Sequence, residues 1–221
     1  MAAPAPPQSL IARNQLAALV LEMVEQGHST TGLQPSAIEA TVRQTLRWDS
    51  KGWPWKAYGP TVMAAVRAGI PVAGGNLPRD KMQDVMQQTE WDSHLSPPAW
   101  ERQRQAIRTG HCDLLPESQI TPMARIQLAK DALMAHTAQA SIQPEKVVVL
   151  IAGRAHVLRT VGIPTWLAAS SSHVVAIAQA GGHAQADASD RDFVIQTAAV
   201  PEKDHCAQLR SQWQSPENKN P

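Results

Sequence analysis

Val147-Val148-Val149-Leu150-Ile151-Ala152, followed at once by Gly153-Arg154-Ala155-His156, is the stretch that decides the fold class. Its apolar part is continuous and mostly β-branched. That pattern suits a strand of a parallel sheet covered on both faces rather than an alternating, half-wet strand. Working outward, similar runs occur at Leu16 to Glu22 (LAALVLE), at Ile70 to Gly75 (IPVAGG, after a helix-ending Gly69), at Val174 to Ala178 and at Phe193 to Thr197. Helical patterns lie between them. Ser36 to Arg47 carries Ile38, Val42 and Leu46 four apart, and Pro60 to Ala68 opens on a proline suited to a first turn. Arg79 to Gln88 follows Pro78, Pro98 to Thr109 ends at Gly110, and Glu117 to Ala140 is the longest. Strands alternating with helices predict an α/β domain: a mostly parallel sheet flanked by helices, with a small helical cap. The domain spans 16–212. Residues 1–15 are expected to be a disordered or residual N-terminus, 181–192 a hairpin or loop, and 213–221 a polar tail.

A net charge of +1 on 221 residues gives no basic field of the kind nucleic-acid binding requires. No apolar run approaches the length of a membrane span. The stretch Met1 to Gln8 has no basic region, apolar stretch or lipobox cysteine of an export signal. The aromatic content is lopsided: seven Trp against one Tyr, Tyr58, and one Phe, Phe193. Trp48, Trp53, Trp55 and Trp91 fall in or near the polar middle of the chain, which suggests a packed cap or a surface for a flat ligand. Cys112 and Cys206 read either as two buried thiols or, in an oxidising compartment, as a pair closing a long loop.

Three polar motifs stand where apolar strands end: Glu22 after LVL, Asn76 to Arg79 (NLPR) after PVAGG, and GRAH after VVVLIA. Open α/β sheets bind ligands outside the carboxyl ends of their strands. If the three strands are parallel neighbours, Glu22, Asn76, Arg79 and His156 share one crevice. Each alone is as well explained by a cap, a turn or a backbone-bonded His; the repetition favours a site.

A second group is Trp53-Pro54-Trp55 with Tyr58-Gly59-Pro60. It presents the one tyrosine beside two indoles. A tyrosinate is a hard oxygen donor suited to ferric iron and serves as an axial haem ligand. The alternative is an interfacial aromatic with its hydroxyl in water. His111-Cys112 could bind metal, but a structural zinc site needs four ligands and no CxxC or HxxxH is present.

At these motifs the chain resembles the ChaN-like family of haem-binding proteins, in a superfamily with the TraB, Tiki and erythromycin-esterase proteins. The resemblance runs from about Ala17 to Arg210. It rests on LVLEM at Leu19, LRWDSKGWPWKAYGP at Leu46, AAVRAGIPVAGGNLPR at Ala64, GHCDLLPE at Gly110, MARIQLAKDALMA at Met123, IAGRAHVLRTVGIP at Ile151 and DHCAQLR at Asp204, in the expected order. The resemblance implies an α/β fold, export to the cell envelope as a lipoprotein, and haem held by a tyrosine between two protomers. It also implies an outer-membrane haem uptake receptor as a partner. Tyr58 falls in the matching block and inherits the iron-ligand role, with Trp53, Trp55, Asn76, Arg79 and His156 as surrounding haem contacts. Lys56 and Arg79 are the cations expected near the phenolate, and His28 is the substitute ligand should Tyr58 fail. Family members also tend to carry cysteine where Cys112 and Cys206 stand, which favours a disulfide.

Relatives begin with an earlier strand and a motif resembling GExHDN, and nothing here matches it. The expectation is a truncated copy or a misassigned start, with an uncovered sheet edge near Leu16 to Glu22. Three functions compete: a haem-binding protein of iron uptake, not an enzyme; a metal-dependent hydrolase using Glu22, His111 and His156; and a non-binding remnant.

Overall fold

The computed structural model describes residues 5–180, 187–198 and 204–214. A short helix, α1 (Pro7–Ala12), leads into β1 (Leu16–Glu25). Then come α2 (Glu39–Thr45), α3 (Trp55–Arg67) and β2 (Val72–Asn76). A helical stretch follows: α4 (Met82–Gln87), α5 (Pro97–Gly110) and α6 (Glu117–Ala140), with single 3-10 turns before and after α4. The chain closes with β3 (Val147–Ile151), α7 (Arg154–Val157), β4 (Ala176–Ala180), β5 (Phe193–Thr197) and α8 (His205–Gln214).

The main sheet has the order β2-β1-β3, all parallel. The α/β class read from the sequence is the class found. β1 is the central strand, and Leu16 to Val24 are all buried. This corrects the expectation of an open edge near Leu16 to Glu22, because β1 is paired on both sides. The outer side of β2 is met by an antiparallel bridge from Ser29 to Ala73. Among the described residues, the edge without a strand partner belongs to β3. Its residues are half-buried and Val147 is 47% exposed, so the run read as buried on both faces is an edge strand. Apolar composition reports what a strand can bury, not whether a neighbour is there to bury it. β4 and β5 form a separate two-stranded parallel sheet. Val175 and Ile177 seat it against Val157 and Leu158.

Other boundaries moved for identifiable reasons. α3 begins at Trp55, behind Pro54, so Pro60 lies inside the helix rather than at its first turn. Residues 7–12 of the expected irregular N-terminus are helical; Leu10 is buried and Gln8 donates to the Thr61 hydroxyl at 3.2 Å. α8 extends to Gln214, into the stretch read as tail. The loop expected at 181–192 is described only from Asp187, where Ala188–Asp190 make a 3-10 turn and Asp190 is buried. The rest of it lies outside the described residues.

Candidate functional site

The carboxyl ends of β1, β2 and β3 meet at one edge, and a local irregularity aims the first of the site's side chains. β1 pairs Leu21 with Gly74 but Glu25 with Asn76, so four residues of β1 advance against two of β2. Such bulges bend a strand and redirect its side chains. Gly74 makes this approach possible: a Cβ there would lie 2.1 Å from the carbonyl oxygen of Glu25.

Within the bulge, the Glu22 carboxylate accepts a hydrogen bond from the Gly153 backbone N–H at 2.6 Å. Its other oxygen lies 3.4 Å from His156 Nε2. On the far side of the ring, His156 Nδ1 donates to Asp131 Oδ1 at 2.5 Å. One imidazole is thus held between two buried carboxylates from β1 and α6. Burial by itself would lower the His156 pKa, but hydrogen bonds to Asp131 and Glu22 overcome it and push it up to about 9. Burial raises Asp131 to about 6 against the pull of His156. For Glu22, burial raises and His156 and Gly153 lower, with a net shift below the usual carboxylate range. The 2.5 Å geometry supports an imidazolium flanked by at least one full carboxylate. The pKa of Lys130, half-buried next to this cluster, is lowered by burial and partly restored by Glu22 and Asp131.

The sequence brought Glu22 and His156 to the same edge correctly. It missed Asp131 and Lys130, which sit in the interior of α6. The available signal was an acid inside the apolar stretch Leu128 to Met134, since an ionisable group there needs a partner. Asn76 ends β2 at the same edge, where its buried Oδ1 has no hydrogen-bond partner. Arg79 turns elsewhere: its guanidinium pairs with Asp49 at 3.0 Å, and its backbone N–H donates to Glu25 at 3.3 Å. His111 is spent on the C-terminal end of α5, its Nδ1 against the Ile107 carbonyl at 2.8 Å. Glu22, His111 and His156 therefore do not form a ligand set, and among the described residues no three acid, His or Cys groups converge as they would on a metal ion.

The aromatic group assembles at the start of α3. Trp48 packs edge-on against Trp55 with ring centroids 4.8 Å apart. Tyr58 lies 5.7 Å from Trp48 and 6.0 Å from Trp53, the latter edge-to-face. Trp48 Nε1 donates to the Trp53 carbonyl at 2.9 Å, which fixes the loop between α2 and α3. One turn of helix separates Trp55 from Gly59, and the indole lies flat on that glycine; a Cβ would stand 2.4 Å from Trp55 Nε1. Trp, Gly and Tyr in this spacing thus form one packed unit. The half-buried Tyr58 has no hydrogen bond from its hydroxyl to any described residue. Its pKa is raised, first by burial and then by the Glu22 carboxylate, which places the two sites within electrostatic reach of each other. Lys56 is exposed, and Arg79 is held by Asp49.

The donor set fits a ferric porphyrin. It offers one hard oxygen with no hydrogen bond to any described residue, with indoles packed beside its ring. Elsewhere, Cys112 and Cys206 form a disulfide with Cα atoms 5.6 Å apart, joining the turn after α5 to α8.

The fold and this site define a class that comparison makes specific. The structure superimposes on one titled "Cofacial heme binding to ChaN of Campylobacter jejuni", with a TM-score of 0.69, 22% sequence identity, 85% of this chain and 76% of that chain covered. At that identity the likeness establishes the shared fold. Residues 7–167 match the profile of the family described as haem-binding uptake, Tiki superfamily, ChaN. The chain belongs to the ChaN family, whose ligand is haem. A search of the curated proteins finds no match.

Proposed function

We propose that this protein binds ferric haem through the Tyr58 phenolate, as a non-enzymatic component of bacterial haem uptake. The observation that carries this reading is the half-buried Tyr58 ring packed against Trp48 and Trp53, its hydroxyl without a hydrogen bond to any described residue. When bound, haem supplies the ferric charge that an iron–phenolate bond requires. The chain's own part is to present the oxygen on a ring that packs against the core and is flanked by the Trp48 and Trp53 indoles. Burial and Glu22 both hold the free phenol protonated, so the proton is released only where a cation replaces it. Trp53 and Trp55 are the flat wall. Asn76 and His156 shape the crevice floor, with His156 committed to its two carboxylates rather than to iron. Arg79 acts at a distance through Asp49.

Haem shared between two protomers is the arrangement we propose for the loaded state. An outer-membrane uptake receptor is the partner, and the envelope side of the membrane the location. The Cys112–Cys206 disulfide supports an oxidising compartment. The test is a haem titration of the wild type and Tyr58→Phe, followed by the Soret and visible bands, beside metal analysis of the purified protein. Loss of the tyrosinate spectrum in Tyr58→Phe is expected. An unchanged affinity and spectrum would overturn the ligand assignment and make His28 the next residue to test.

A further inference from the structure

Beside the Tyr58 cluster, on the α2 side, lies an open depression of about 370 Å3 lined by Ala40, Arg43, Gln44, Arg47 and Trp48. Trp48 belongs to both places: it lines the depression, and its ring is 5.7 Å from that of Tyr58. The depression and the aromatic group therefore share one side chain.

The two arginines differ in how they are held. Arg43 lies over the Trp55 ring at 5.6 Å, donates to the Ser50 hydroxyl at 2.7 Å and is 3.8 Å from Glu39. Its guanidinium is pre-positioned, with one acid nearby to share it. The exposed Arg47 guanidinium makes no hydrogen bond or ion pair with any described residue. The backbone beneath it is unusual. α2 ends in a paired arrangement in which the Trp48 N–H donates to the Arg43 carbonyl at 2.9 Å and the Arg47 N–H to the Gln44 carbonyl at 3.0 Å. The residue between those two bonds must adopt a left-handed conformation, and glycine is the usual occupant. Here it is Arg47, at φ 47°. The fold thus carries a long cation at a position whose backbone prefers no side chain at all.

We propose that this depression is an anion subsite, with Arg47 and Arg43 receiving the carboxylates of the same flat ligand that Tyr58 binds. The proposal rests on the haem reading above, because the carboxylates meant are the haem propionates. Guanidinium forks match carboxylates in geometry as well as charge, and the stacked Trp55 limits the freedom Arg43 would otherwise lose on binding.

The test uses two ligands, ferric haem and its dimethyl ester, which keeps the iron and the ring but carries no anionic carboxylates. Arg47→Gly removes the guanidinium and places at φ 47° the residue that tolerates it best, so the fold is expected to be kept. It should weaken haem by about tenfold, the size of one charge-assisted contact at an open site, and leave the ester unaffected. Arg47→Lys should recover part of the loss. Equal behaviour of wild type and Arg47→Gly towards haem would overturn the proposal, as would an equal loss for both ligands, which would mark a structural effect. Tyr58→Phe separates the two readings. If it alters the spectrum while Arg47→Gly does nothing, the iron ligand stands and the anion subsite falls. The opposite pattern removes the ligand and keeps the subsite.

Discussion

At the scale of single residues, the site depends on contacts with little tolerance. Gly59 is the sharpest case. A methyl group there collides with the Trp55 indole, so Gly59→Ala must displace a ring that touches Trp48 and underlies Arg43. The expected cost is about 1–3 kcal/mol of stability, typical of overpacking, with altered Trp fluorescence and weaker haem binding. Denaturant melts that leave Gly59→Ala within error of wild type would show that the indole can move freely. The buried His156 cluster makes a prediction with a definite sign. His156 is raised from an ordinary value of 6.5 to about 9, so its contribution is complete below pH 6.5 and is lost as pH rises through 9. Asp131, raised from 3.8 to about 6, acts in the same direction at lower pH: its contribution fades between those two values. Glu22 opposes both, because its lowered pKa favours the folded state above about pH 4.5. The wild type should therefore lose stability between pH 7 and 9.5 by more than His156→Gln does. Urea midpoints measured across that range check it; parallel curves would mean the imidazole is neutral in the folded protein. Glu22 and His156 were legible in the sequence because each is the polar residue that closes or follows an apolar run, although β1 itself continues past Glu22 to Glu25. Asp131 was not, because a helix interior gives no positional hint of which turn faces a buried His. Arg47 was hidden for another reason: only the backbone geometry separates it from an ordinary surface arginine.

At the scale of elements, the long and unmixed segments were readable. The span Glu117 to Ala140 was read as one helix and is one, even though Pro122 lies in it, because a proline near a helix start removes few hydrogen bonds. β1, β2 and β3 were placed from their apolar runs. Their order, the bulge at Glu22 and the exposure of β3 were not, because a run of Val and Leu carries no information about its neighbours. The terminal helix shows what such reading leaves out. α8 carries mostly exposed residues, and its firm link to the rest of the described chain is the disulfide between Cys206 and Cys112. Reduction should release it without unfolding the sheet. Limited proteolysis is expected to remove the segment from α8 onward in reduced protein and to spare it in oxidised protein, while the haem spectrum of the trimmed product stays the same. Equal cleavage in both states would mean that noncovalent packing holds α8. A lost haem spectrum after trimming would place α8 in the binding face. The loop closed by this bond is long, 94 residues apart in sequence, so Cys112→Ser should also lower the midpoint of thermal unfolding.

At the scale of the whole molecule, the parallel strands are divided between two sheets, and this has consequences for association. Parallel sheets are normally covered on both faces and extended by neighbours. Among the described residues, β3 ends the main sheet, and β4 and β5 form a pair of their own. The backbone groups along the outer side of β3 have no strand partner among the described residues, and the side chains beside them are apolar. Such an edge is a template for pairing with another chain. Haem-linked dimerisation, in contrast, would use the face around Tyr58 and Arg47. The two modes can be separated because they depend on different surfaces. Val147 is 47% exposed at the start of β3, so a charge placed there costs little in core packing and blocks edge pairing. Val147→Lys should abolish concentration-dependent association of the haem-free protein in sedimentation velocity runs. It should leave the haem-dependent dimer intact. Tyr58→Phe should do the reverse, removing the haem-dependent species while the haem-free protein still associates as its concentration rises. If Val147→Lys has no effect on the haem-free protein, the β3 edge is not its contact. If it also removes the haem-dependent dimer, both assemblies use β3, and the Tyr58 face is a ligand site on a dimer built elsewhere.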